Sequence, residues 1–364
     1  MIYASLFVLS LLLAVSLTGA IRAFALKHGL VVAPRPRDSH KKPLPRIGGL
    51  AIFAAFLIVT TAYFILMNPS ANISNGYWFG IDKKIVSIWL ASLIIVSVML
   101  VDDLRGLSAP TKLLAQIITV AIIVASGIGI DHFPNPFGAA INLNSVYVPL
   151  NIFGTVYHFS LWSDILTLVW LVGMMNVVNF IDGVDGLAAG VSGIAAITLF
   201  LLSLIVGQGA LAMIAIILAG SVFGFLVWNF HPAKIFMGDS GSMFLGLMLG
   251  VLPLISGGKL ATAFLVLGFA IVDGLIVAAA RVLRGKNPLT TPDKTHLHHR
   301  FLAAGFSVRQ AVISMYLIAA LFGWVALRST TLNKIIASTL LVLFVGALII
   351  VLNEIKKRRN RVRR

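Results

Sequence analysis

Long apolar runs alternate with short polar interruptions along almost the whole chain. An α-helix needs roughly 20 mostly apolar residues to cross about 30 Å of hydrocarbon, and that length recurs here again and again. Read this way, spans are expected at 2–21, 47–67, 85–101, 111–131, 162–180, 187–206, 209–229, 241–257, 260–284, 311–328 and 335–353. The first charge, Arg22, follows an apolar run from Ile2 to Ile21. A secretory signal carries its positive charge before the run, so this segment reads as a retained first span. The pattern predicts an all-α integral membrane protein of about 11 (10–11) transmembrane helices, one polytopic domain over 1–364 with a basic tail at 354–364. The sizeable loop 132–161 alternates around Ile141-Asn142-Leu143-Asn144 and Val146-Tyr147-Val148, which predicts a short β-hairpin.

Composition agrees: 59% of residues are hydrophobic, 11% are charged, and the mean hydropathy is +1.01. A soluble protein of this size needs more charge than that. Cys is absent, which excludes disulfides and thiolate metal sites. The net charge of +16 is that of a nucleic-acid binder, but its distribution argues against one. With the N-terminus outside, 23 of the 28 Lys and Arg residues fall on inside segments. Only Lys83, Lys84, Lys259, Arg328 and Lys334 lie outside. The positive-inside rule therefore predicts N-terminus out and C-terminus in the cytoplasm. The tail from Lys356 to Arg364 directly follows a span and reads as a topology anchor near anionic lipid, with no nucleic-acid role.

Acidic residues change the picture further. Eleven of the 12 are Asp, and Glu354 is the one Glu. Asp102, Asp103, Asp182, Asp185 and Asp239 all fall at inside ends of spans, while only Asp82, Asp131 and Asp164 lie outside. Converging carboxylates raise one another's pKa unless a cation sits among them. A hard divalent ion with oxygen ligands is the natural partner. Mg²⁺ fits best because it takes few carboxylates and leaves room for phosphates; spacing leaves Mn²⁺ open.

The inside loops supply a second clue. Arg46-Ile47-Gly48-Gly49, Ser108-Ala109-Pro110-Thr111-Lys112, Asp182-Gly183-Val184-Asp185-Gly186 and Gly238-Asp239-Ser240-Gly241-Ser242 each open an outward-running helix. Such helix starts present free N–H groups and the positive dipole end, a setting for phosphate. Phosphate chemistry at one bilayer face is as far as the residues alone lead.

These loops resemble the polyprenyl-phosphate N-acetylhexosamine-1-phosphate transferase family. The matching segments are His40 to Gly49, Asp102-Asp103 with Pro110-Thr111-Lys112, Asn176 to Leu187, Phe236 to Ser242, and His296-Leu297-His298-His299-Arg300. They occur in family order over nearly the whole chain. The His-x-His-His-Arg form is similar to the branch that starts O-antigen, common-antigen or teichoic-acid linkage units. The branch using UDP-MurNAc-pentapeptide usually shows three adjacent His there. The resemblance implies transfer of GlcNAc-1-phosphate from UDP-GlcNAc to undecaprenyl phosphate with release of UMP. It implies a site facing the cytoplasm of a bacterial inner membrane, and a possible homodimer. Another UDP-N-acetylhexosamine or UDP-MurNAc-pentapeptide is the alternative donor.

Roles follow from chemistry and resemblance together. Asp239 is the first expected metal ligand, and Asn179 adds a neutral oxygen. Asp102 and Asp103 are expected to bind metal or to orient or deprotonate the lipid phosphate. Lys41, Arg46 and Lys112 are expected to contact phosphates. Asp182 and Asp185, at i and i+3, are placed by the resemblance near the uridine and metal, with Asn229 and Phe236 as weaker nucleotide neighbours. His296, His298 and His299 fit sugar and diphosphate recognition better than zinc, with Arg300 as a bidentate donor. Arg22, Lys27, Arg35 and Arg37 read as topology charges. Asp273 lies inside a span and needs a partner, for which Arg281, two turns on, is the expected one. An ion-coupled transporter is the rival class, and a lipid-binding scaffold a third; transporters hold their charges near the midplane, where Asp273 alone is a candidate.

Overall fold

The computed structural model describes residues 1–32, 43–66, 76–78, 80–133, 135, 138–152, 155–256, 260–283, 285 and 295–362. In chain order the helices are α1 (Ile2–Lys27), α2 (Gly49–Leu66), α3 (Lys83–Arg105), α4 (Ala109–Ala125), α5 (Leu161–Ile181) and α6 (Leu187–Ile205). They continue as α7 (Gly209–Asn229), α8 (Gly238–Ile255), α9 (Leu260–Leu283), α10 (Leu297–Ala304), α11 (Val308–Arg328) and α12 (Thr331–Val362). Ten of these are long and apolar enough to cross a membrane, and α4, at 17 residues, is a shorter apolar helix. The chain is a multi-pass membrane protein. Leu9 and Leu12 on α1, Leu114 and Ile118 on α4, and Leu340 and Leu343 on α12 are exposed. Apolar surface on that scale is a lipid-facing surface.

Local chemistry sets the helix starts. Asp82 caps α3 by accepting from the Lys84 N–H at 2.9 Å. Ser108 caps α4, with Pro110 in the first turn, where its missing N–H costs nothing. Ser307 and Gln310 form a capping box on α11.

The bundle is organised around α8, buried at every residue but Ile255. It packs against α2, α3, α5, α6 and α9. Lipid tails give apolar side chains no reason to prefer protein, so close helix contact relies on small residues. Gly220 and Gly224 of α7, four apart, face the backbone of α1 at Phe7 and Leu11. Hydroxyls inside the spans return to their own helix, as Thr18 does to the Ala14 carbonyl and Ser221 to that of Ile217.

Three expectations change. The loop 132–161 holds two strand pairs rather than one. Ile141–Asn142 pairs with His132–Phe133, and Tyr147–Ile152 pairs with Thr155–Ser160. Alternation reveals a strand but not its partner; the Asn142 side chain accepts from the Asn144 N–H and turns the chain between them. Next, α12 runs nine residues past its expected end, because a helix continues its own hydrogen bonding beyond the apolar stretch. Last, a short helix, α10, stands between the spans expected at 260–284 and 311–328, where no helix was expected.

Candidate active site

The site begins with a backbone clasp. Phe236 N–H donates to the Pro45 carbonyl at 2.8 Å, Gly48 N–H to that of Phe236 at 2.9 Å, and Gly49 N–H to that of Met237 at 2.7 Å. This draws the start of α2 onto the start of α8 so closely that a Cβ on Gly49 would meet the Gly241 backbone. Gly238 has φ +79°, and a side chain there would collide with the Arg46 carbonyl and the Asp103 carboxylate.

Asp103 comes from the end of α3 but caps α8. Its Oδ1 accepts from the Asp239 N–H at 2.8 Å, and its Oδ2 from the Ser240 N–H at 3.0 Å and the Ser240 hydroxyl at 2.7 Å. The side chain has no exposed surface. A carboxylate at a helix C-terminus opposes that helix's dipole; facing the N-terminus of α8 offsets the cost.

Asp239, so fixed, meets two cations. Arg46 Nη2 lies 2.7 Å from Asp239 Oδ1, and Lys112 Nζ lies 2.9 Å from Oδ2. Lys112 also pairs with Asp102, whose other oxygen accepts from the Leu107 N–H at 2.6 Å. Burial alone would lower the Arg46 pKa, but Asp239, Asp103, Asp182 and Asp102 outweigh it and raise it, so this guanidinium stays charged.

Asp102, Asp103 and Asp239 each offer an oxygen, all within 4.8 Å of one another. Three carboxylates against Arg46 and Lys112, with Asp182 close enough to be felt, leave the cluster negative. An all-oxygen set with residual negative charge fits a hard divalent cation. Asp103 has both oxygens committed to the helix start of α8. Asp102 and Asp239 are held by the side-chain cations Arg46 and Lys112, whose place a metal ion can take, so these two suit such an ion better. Asn179 stands beside them: its Nδ2 donates to Ser242 Oγ at 2.9 Å, and its Oδ1 accepts no hydrogen bond among the described residues.

The Asp182–Gly186 turn forms the neighbouring wall. Burial pushes the Asp182 carboxyl well above the usual range; Arg46 opposes this, and Asp239, Asp103 and Asp185 add to it. Asp185 accepts from the Ala233 N–H at 3.1 Å and lies 2.8 Å from His231 Nδ1. Asn229, expected near the nucleotide, is buried against this turn and braces it. Its Oδ1 accepts from the Gly186 N–H at 3.0 Å and its Nδ2 donates to the Ile235 carbonyl at 2.9 Å. Phe236 is half-buried in the clasp.

The histidines lie against the same turn. A Cβ on Gly183 would sit 2.8 Å from His298 Nε2. His298 is buried, and its Nδ1 has no partner among the described residues. Burial pulls its pKa well below the ordinary value, helped by His299 and His296, so it stays neutral. His296 Nδ1 lies 2.9 Å from Asp273 Oδ2, and the Leu297 N–H donates to Asp273 Oδ1 at 2.9 Å. Asp273 thus has a different partner from the Arg281 expected, because the fold returns the His segment over α9. His299 packs against His298, ring centres 4.3 Å apart. Arg300 is engaged elsewhere: Nη1 donates to Asn353 of α12 at 2.9 Å, and Nε to the Thr295 carbonyl. Lys41 lies outside the described residues.

Sequence reasoning missed His231, Ser240 and Asn353. Ser240 was legible, as a hydroxyl in the first turn of α8. His231 and Asn353 carry no signal until the fold brings their partners.

A bundle of lipid-exposed helices that collects carboxylates, cations and helix starts at one end defines a membrane enzyme of anionic substrates. The chain matches the model of Glycosyl transferase family 4 over residues 85–257, which takes in α3 to α8. It is 34% identical over 335 residues, 90% of this chain and 85% of the relative, to a Bacillus subtilis protein named probable undecaprenyl-phosphate N-acetylglucosaminyl 1-phosphate transferase. It is 33% identical over 325 residues (82% and 75%) to the decaprenyl-phosphate N-acetylglucosaminephosphotransferase of Mycolicibacterium smegmatis. A Staphylococcus carnosus phospho-N-acetylmuramoyl-pentapeptide-transferase is 28% identical over 319 residues (83% and 90%). The chain belongs to glycosyl transferase family 4, and it is a phosphoglycosyl transferase.

Proposed function

We propose that this enzyme transfers N-acetylglucosamine-1-phosphate from UDP-GlcNAc to undecaprenyl phosphate, releasing UMP. The reaction would run at the cytoplasmic face of a bacterial inner membrane and yield the first lipid-linked intermediate of a cell-envelope polysaccharide. The observation that carries this reading is the Asp102–Asp103–Asp239 cluster threaded by Arg46 and Lys112. The name of the Bacillus subtilis relative supports the donor and acceptor.

In the step proposed, an oxygen of the lipid phosphate attacks the β-phosphorus of UDP-GlcNAc. The bond from that phosphorus to the bridging oxygen breaks, and UMP leaves with the oxygen and the electron pair. Two anions meet, so positioning and charge neutralisation dominate. Arg46 and Lys112, now paired with carboxylates, turn to the incoming phosphates. Asp102, released from Lys112, takes the proton when the acceptor arrives monoprotonated; its second pKa near ~6 makes that a minority case at neutral pH. Asp239 and Asp102, with Asn179 alongside, would hold a Mg²⁺ ion, whose chemistry when bound would be to neutralise charge on the diphosphate. Asp103 keeps Asp239 in place. The Asp182–Asp185 turn and Phe236 would take the nucleotide, and His298 and His299 the sugar and diphosphate.

The test is UMP release by purified protein with undecaprenyl phosphate and Mg²⁺, comparing UDP-GlcNAc, UDP-GalNAc and UDP-MurNAc-pentapeptide. Turnover with UDP-GlcNAc alone supports the proposal. Preference for the pentapeptide donor moves the chain to the other branch, and silence with every donor from folded protein rejects the reading.

A further inference from the structure

The C-terminal helix runs well past the hydrocarbon. From Lys334 to Glu354 it covers about 30 Å, one bilayer core, at 1.5 Å per residue. Lys356, Lys357, Arg358, Arg359 and Arg361 lie on the remaining two turns. Lys356, Lys357 and Arg358 are exposed there, as a membrane-surface anchor requires. Leu352, Asn353 and Arg359 are not: they share the face that packs on α10.

Each of the three meets a different part of α10. Leu352 is buried in the same core as Leu297, Phe301 and Ala304, the inner face of α10. Asn353 Oδ1 accepts from Arg300 Nη1 at 2.9 Å. The Arg359 guanidinium lies over Gly305, the C-cap of α10 at φ +108°, in the space a side chain would fill. A cation beside a helix C-terminus is favourable. An eight-residue helix cannot hold itself in place. Asp273 secures its first N–H from α9, and α12 secures the rest.

We infer that the extension of α12 is a positioning element for the active site. Asn353 and Arg359 act as positioning residues that set α10, and so hold His298 against the Asp182–Gly186 turn where the donor binds. This rests on the reading that the histidine segment meets the donor.

The experiment uses full-length protein in nanodiscs and compares Asn353→Ala, Asn353→Asp and Arg359→Ala with the exposed control Lys357→Ala. Asn353→Ala should raise the donor KM about tenfold, the loss expected for a hydrogen bond to a charged group, with kcat and the acceptor KM within about twofold. Arg359→Ala should move the same way, and Asn353→Asp should restore the wild-type KM. Amide hydrogen exchange across 297–304 should quicken in Asn353→Ala and not in Lys357→Ala. Unchanged exchange in both Asn353→Ala and Arg359→Ala overturns the inference. Faster exchange with an unchanged donor KM keeps the strut but removes the donor from the histidine segment, which is a failure of the functional reading alone.

Discussion

The carboxylate cluster and the histidine helix occupy one end of the bundle and are held by opposite means. The cluster is built on the ends of long helices: Asp103 from α3, Lys112 from α4, and Asp239 from α8, clasped to Arg46 ahead of α2. Its geometry follows from membrane-spanning elements packed around a buried hub. The histidines ride instead on eight residues tethered by side chains of α9 and α12. Groups that must meet developing charge need fixed positions, because electrostatic catalysis depends on preorganisation. The comparison sets a cluster fixed by long packed helices against a short helix fixed by side-chain ties from its neighbours.

The harshest way to break the comparison is at Asp239. Asp239→Asn keeps the shape but removes the charge that Arg46 and Lys112 share and that the proposed Mg²⁺ would need. UMP release should fall about 10³-fold or more, the scale of losing a central electrostatic group, while the thermal midpoint moves little. Chelation by EDTA should likewise abolish turnover, and added Mg²⁺ should restore it. Retained turnover in either would detach the metal from the chemistry.

Gly238→Ala tests whether the carboxylate cluster depends on backbone shape. The new Cβ must adopt φ +79° and enter the space of the Arg46 carbonyl and Asp103. We expect a loss of about 1–3 kcal/mol in stability and a drop in kcat with little change in KM. Asp103→Asn is milder. Asn retains one acceptor for the Asp239 N–H but presents an NH₂ to Ser240, so kcat should fall about 10–100-fold. If Asp103 instead supplied the base or a sole ligand, this variant would be as inactive as Asp239→Asn.

Much of this was legible from the chain. Span lengths placed every membrane helix, since hydropathy and the need to satisfy backbone groups in lipid leave few alternatives. They missed the ends of α1, α4 and α12 by six to nine residues, where helical hydrogen bonding and not the apolar run decides the boundary. The convergence of Asp102, Asp103 and Asp239 was foreshadowed by their shared topological side. What stayed hidden was which carboxylate serves which neighbour. Asp103 as a cap for α8 depends on two helix ends meeting, and no local pattern encodes that. Asp273 chose His296 over Arg281 for the same reason, because a partner in a returning loop is invisible to helical spacing. Arg300 and Asn229 carry the chemistry for substrate contacts, and the bracing that each also supplies, to Asn353 and to the Gly186 N–H, has no local pattern to reveal it.

The smallest effect sharpens the histidine side of the comparison. Burial holds His298 neutral in the folded protein, while in the unfolded chain a histidine titrates near ~6.5. A folded pKa below the unfolded one means that the unfolded state binds more protons as pH falls. Stability is therefore full above about pH 7 and declines as pH drops through the unfolded value. Between pH 7.5 and 5.5 the folded protein loses stability through this group. Thermal midpoints at the two pH values, for wild type and His298→Gln, would measure it: the wild type should lose more on acidification than the variant. Equal losses would mean that His298 takes up its proton in the folded protein as readily as in the unfolded chain, and so that burial against the Asp182–Gly186 turn does not hold it neutral.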